Sequence, residues 1–187
     1  MQIRLALSAV DRGLDLNLKL ILARRPDEPT GHVVLRVLAY CLFYREDLGG
    51  GLRFAPGPAD RDSPDLWVHD LVGQPIEWIV CGDPDVDELR HVLKHQRQAK
   101  VRVLFGSERV REAFFQRVRS SRHRVPGIET VDFCEVSAEL VGRLMECELE
   151  RQRWAVTLVE DHLYVDVGGI AADSEVTRPS FVEERGG

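Results

Sequence analysis

Three carboxylates, Asp65, Asp70 and Glu77, fall within one short stretch, PDLWVHDLVGQPIEWIVCG at residues 64–82. Residues 66–72 and 76–81 read as strands joined by a turn at Gly73-Gln74-Pro75, so the acids stand close together on paired strands and are the first candidates for chemistry. The simpler reading is that Asp65 caps the loop before its strand while Asp70 and Glu77 face solvent. A second set follows on a helix. Arg90, Lys94 and Arg97 recur at helical spacing, a basic stripe of the kind that contacts a phosphate backbone, or else an ordinary solvated face. His91 and His95 form an HxxxH pair, which binds zinc only when a third ligand converges; without HExxH, a solvated helix face is the simpler reading. No GxSxG elbow and no GxxxxGK[ST] loop occurs, so acyl and nucleotide hydrolysis lack support.

The elements that must position these groups follow from apolar spacing. Residues 3–22 alternate with period two around Asp11-Arg12-Gly13, which predicts an antiparallel hairpin. Thr30 is a plausible N-cap for a helix over residues 32–47, apolar almost all round and therefore packed between other elements. Gly49-Gly50-Gly51 ends it, residues 52–55 make a short strand, and residues 56–64 form a polar loop. After the central strand pair, Gly82-Asp83-Pro84 opens a helix over residues 85–99, buried through Val86, Leu89, Val92 and Leu93. A strand at 101–105 follows, so strand, helix and strand make a right-handed parallel crossover. Ser107 caps a helix to residue 120, residues 128–134 are a strand, and Ser137 caps a helix with Leu140, Val141, Leu144 and Met145 inward. The last unit is a hairpin, 154–159 and 163–167, around Glu160-Asp161-His162. Beyond Gly168-Gly169 no periodic apolar face remains. One domain over residues 1–168 with a flexible tail at 169–187 is the expectation.

The chain has 187 residues, 44% of them hydrophobic, and a formal net charge of −6. That is enough for one substantial core, and an acidic balance disfavours nonspecific binding to nucleic acid or membrane. Charge is uneven: residues 108–124 hold six Arg against two Glu, so a local basic patch remains open. The cysteines Cys41, Cys81, Cys134 and Cys147 are widely spaced in apolar segments, which suits reduced core residues. No apolar run approaches the ~20 residues needed to span a bilayer, and a cytoplasmic protein is expected.

The runs LARRPDEP, Arg36-Val37-Leu38-Ala39, SPDLWVHDLVG, IEWIVCGDPD and TLVEDHLYVDV resemble the YaeQ family of bacterial proteins over residues 1–168. That resemblance implies a mixed α/β fold of the restriction-endonuclease-like, PD-(D/E)XK kind, with an αβββαβ core flanked by N- and C-terminal β-hairpins. The order read independently from residues 33–105 is the same. In active members of that superfamily, acids on adjacent strands bind a divalent metal and a lysine assists the attacking water. The metal would be Mg or Mn, whose hard charge suits carboxylate oxygens. Asp65 and Asp70 match the family pattern. Val80 stands where the family usually has an acid, Gly31 where it tends to have Glu, and Leu93 where it has Lys, with Lys94 adjacent. Glu77 would replace the missing acid only through a bulge or a register shift. The resemblance thus implies a nuclease-like scaffold with an incomplete metal site that binds DNA, RNA or a protein partner without catalysis. The alternative is a metal-dependent phosphodiesterase with Asp65, Asp70 or Glu77 as metal ligands and Lys94 stabilising the scissile phosphate.

Overall fold

The period-two N-terminus pairs as expected in the computed structural model, which describes residues 1–24, 26–46, 51–55 and 63–182. Strands β1 (Gln2–Ala9) and β2 (Leu14–Ile21) run antiparallel, bury Ile3, Leu5 and Leu7, and are joined by a single 3-10 turn closed by Gly13 at φ +61°. The helix α1 spans Thr30–Phe43, not residues 32–47. Pro29, at φ −60° and ψ 140°, takes the cap position expected of Thr30, its carbonyl accepting from the N–H groups of His32 (3.0 Å) and Val33 (3.2 Å). At the other end Tyr44 turns extended. Of the expected Gly49–Gly51 stop, Gly49 and Gly50 lie outside the described residues, as does most of the loop expected at 56–64.

Strands β3 (Arg53–Phe54), β4 (Leu66–His69) and β5 (Pro75–Cys81) follow, then helix α2 (Val86–His95) and strand β6 (Lys100–Phe105). Strand β5 pairs parallel with β6, as the crossover predicts. Helix α2 stops four residues short of Ala99 because Gln96 leaves the helical region; its start is set by Asp85, whose side chain accepts from the N–H groups of Asp87 and Glu88. Helices α3 (Glu108–Ser120) and α4 (Ala138–Met145) are capped by Ser107 and Ser137 as expected, and strand β7 (Asp132–Glu135) lies between them. A 3-10 turn at Ile128–Thr130 takes the first part of the strand expected there. Strands β8 (Arg153–Val159) and β9 (His162–Val167) form the C-terminal hairpin.

Two mixed sheets result, ordered β3-β4-β5-β6-β7 and, with a further strand β10 (Ile170–Glu175), β10-β9-β8-β1-β2. Helix α1 is buried from Val33 to Phe43 and shares one core with the inner residues of both sheets and α4; Trp78, Val103 and Phe105 face a second core with α2 and α3. Strand β10 corrects the expectation of an unstructured tail. It pairs antiparallel with β9, Ser174 accepts a hydrogen bond from the N–H of Ser137, Thr177 bridges Glu135, and Val176 and Phe181 are buried. Its weakly apolar sequence carries little local signal; the exposed edge of β9 supplies the partner. Met145, expected inward, is 48% exposed. Cys41, Cys81 and Cys134 are buried free thiols, and Cys147 is partly exposed. Among the described residues no helix is long and apolar enough to cross a membrane.

Candidate functional site

Asp65 sits where the chain enters β4, held by its backbone N–H on the carbonyl of Ile79 (2.8 Å) and by its own carbonyl, which accepts from Ala55 (3.0 Å). Its side chain turns towards α1. One carboxylate oxygen accepts the N–H of Cys81 at 2.7 Å, and the other faces His32 Nε2 at 3.2 Å and Arg36 Nε at 3.6 Å. His32 Nδ1 lies 2.7 Å from Glu28 Oε1, and Arg36 Nη1 donates to that same oxygen at 3.1 Å. Glu28 and Arg36 are each only 4% exposed. Burial opposes charging of His32, but the hydrogen bond and charge of Asp65, then those of Glu28, outweigh it and raise its pKa. Both ring nitrogens face carboxylates, which suits the imidazolium. Among the described residues two acids are thus matched by two cations in one network. A carboxylate engaged this way has little left to offer a hard cation.

The structure does not bring Asp65 together with Asp70, Glu77 and Lys94. Asp70 closes the β4–β5 turn, where Oδ1 accepts from the N–H groups of Val72 (2.9 Å) and Gln74 (2.8 Å); this Asx turn is why β4 ends at His69. Glu77 is buried on the α1 side of its sheet, paired with Arg102 at 2.8 Å. Arg102 also bonds Asp132 and lies 4.9 Å from the Phe43 ring centroid, at the last turn of α1. His32 and Phe43 are about 16 Å apart along that helix, so Asp65 and Glu77 occupy opposite ends of it. Val80 faces the other way, beside Trp78, Leu89 and Val92, and so a carboxylate there would not meet Asp65. A Cβ on Gly31 would lie 3.1 Å from Met145 Sδ, so a side chain at that position would require the methionine to shift by a few tenths of an ångström. Among the described residues no group of three or more His, Cys, Asp or Glu is arranged to hold a metal ion.

The basic stripe of α2 does form one surface. Arg90, Lys94 and Arg97 line a groove of about 750 Å³ with His91, His95 and Arg124. Arg90 is paired with Asp87, and Arg97 Nε donates to the carbonyl of Lys94 at 3.3 Å. The Lys94 ammonium has no hydrogen-bond or ion-pair partner among the described residues. The two imidazole centroids lie 4.1 Å apart with the rings tilted by 32°, and His95 Nδ1 is 2.9 Å from the carbonyl of His91. That use of a ring nitrogen, with no third ligand grouped with the pair among the described residues, suits a solvated helix face.

The family model described as YaeQ protein matches residues 1–176. The chain belongs to the YaeQ family. Two crystal structures of YaeQ proteins are similar to it. The one from Xanthomonas axonopodis pv. citri shares 23% identity at a TM-score of 0.79 and covers 97% of each chain; the one from Pseudomonas syringae shares 27% identity at 0.75 and covers 99% of this chain and 96% of that one. A comparison with curated proteins finds no match. The YaeQ match extends through β10, the strand that the apolar pattern did not reveal. The network of Glu28, His32 and Arg36 around Asp65 also escaped sequence reasoning. Its signal was present: an arginine one turn after a histidine, inside a helix otherwise lined with apolar residues, needs a buried carboxylate to be tolerated.

Proposed function

We propose that this YaeQ protein is a binding protein on a nuclease-like, PD-(D/E)XK scaffold, which docks the phosphodiester backbone of DNA or RNA along α2 without cleaving it. The observation that carries this reading is the groove in which Arg90, Lys94, Arg97 and Arg124 lie together, with Asp87 the one acid in its described lining. Four cations along one face suit a row of phosphates, a local exception to the overall charge of −6. The absence of cleavage is argued from Asp65, which is occupied by His32, Arg36 and the Cys81 N–H.

Binding to DNA and RNA oligonucleotides across a salt series tests the reading. Wild type is expected to bind at low salt, and Arg90→Glu/Arg97→Glu to lose at least about tenfold in affinity and to flatten the log–log salt slope by about 2. No retention at low salt would leave a protein partner as the remaining role. A parallel calorimetric titration with magnesium or manganese is expected to show no saturable binding; saturation in wild type that disappears in Asp65→Ala would restore the phosphodiesterase reading.

A further inference from the structure

At the end of α1 remote from Asp65, a cavity of about 480 Å³ is walled by four guanidinium groups, those of Arg12, Arg45, Arg102 and Arg178, with Glu46 the one acid in its described lining. They come from the β1–β2 turn, the segment after α1, strand β6 and the stretch after β10, so the fold alone gathers them. Guanidinium groups repel unless anions intervene. Glu77 and Asp132 offset Arg102, but Asp132 also serves Arg178 at 3.4 Å and Lys100 at 3.6 Å. Arg178 has a second carboxylate, Asp161, at 3.7 Å. Arg12 has none in ion-pair range among the described residues; its Nη1 donates to the carbonyls of Leu42 (3.0 Å) and Tyr44 (3.4 Å). Desolvation first, then the charges of Arg178, Arg102 and Arg45, push its pKa below the ordinary value. Among the described residues Arg12 is therefore a cation of this cavity with no carboxylate partner in ion-pair range.

We propose that this cavity binds a small phosphomonoester with an apolar body, the phosphate dianion held by Arg12 and Arg178 and the body lying against Phe43 and Tyr44. A phosphomonoester offers three terminal oxygens and so accepts guanidinium forks from several directions at once, where a carboxylate offers two. The volume falls within the range of pockets that enclose small ligands. Burial of Arg102 over Phe43 and its pairing with Glu77 keep one wall preformed. The site lies on the α1 side of its sheet, away from the α2 groove, and does not depend on nucleic-acid binding.

The test is calorimetric titration of the full chain with phenyl phosphate, inorganic phosphate and phenol. Phenyl phosphate is expected to saturate, to bind more tightly than inorganic phosphate, and to weaken about tenfold in Arg178→Gln, the scale of one charge-assisted hydrogen bond. Phenol should not bind, and Arg90→Glu/Arg97→Glu should bind phenyl phosphate like wild type. Arg12→Gln should weaken binding as well. Arg12 also supports the end of α1, so Arg178→Gln, on an exposed segment, is the deciding variant if Arg12→Gln does not fold. Failure of phenyl phosphate to saturate, equal affinity for inorganic phosphate, or unchanged affinity in Arg178→Gln would each overturn the proposal.

Discussion

Asp65 is the residue most easily taken for a catalytic acid, and its neighbours decide what it does. His32 and Arg36 approach one oxygen and the Cys81 N–H the other, so the carboxylate joins the start of α1 to the end of β5. The pH dependence of this link has a definite sign. The folded pKa of His32 lies above its ordinary 6.5; its stabilisation is therefore fully present below about pH 6.5 and is lost as pH rises through the folded value. Urea unfolding should find His32→Gln less stable than wild type by about 1–2 kcal/mol near pH 5.5, with a smaller gap near pH 9. An equal gap at both pH values would mean that His32 is not charged in the folded state. The type and position of Asp65 were legible in the Pro-Asp-Leu-Trp motif. Its partners were not, because Arg36 and Asp65 are far apart in sequence and meet only when α1 packs on the sheet.

At the scale of elements, buried charge ties three strands together. Glu77 on β5, Arg102 on β6 and Asp132 on β7 form a row across the sheet beneath the last turn of α1. Period-two alternation correctly separates Glu77 from Val80, since the former faces α1 and the latter α2. It does not reveal that Glu77 and Arg102 are buried there. Glu77→Ala should cost about 3 kcal/mol in urea unfolding, because it leaves the Arg102 guanidinium buried with only Asp132; Glu77→Leu/Arg102→Met should cost less than the single change. A loss below about 1 kcal/mol in Glu77→Ala would argue for a hydrated row. Caps were the most readable feature at this scale. Ser107 and Ser137 act where the spacing placed them, since capping depends on neighbours within one turn. Helix ends set by longer-range partners, as at Phe43, were misplaced by a few residues.

For the molecule as a whole, the C-terminal stretch integrates what the local pattern leaves apart. Strand β10 covers the edge of β9, Ser174 satisfies the N–H at the start of α4, Thr177 pairs with β7, and Phe181 packs against Phe115 of α3. A chain ended at Gly169 should lose at least about 3 kcal/mol from the burial of Val176 and Phe181 alone. Its exposed β9 edge should also make it prone to association. Calorimetric melting with light scattering would show both effects; an unchanged melting temperature would mean that the segment only rests on the surface. The sequence by itself determined the element order as far as β9, most of the faces that turn inward, most caps and turns, and the family. These depend on alternation, helical spacing and neighbours a few residues away. Tertiary structure alone decided which acids are held by cations, that Asp65, Asp70, Glu77 and Lys94 lie apart, and that four arginines from distant segments wall one cavity. Charge pairing depends on distance and burial, which arise only when segments remote in the chain are packed together.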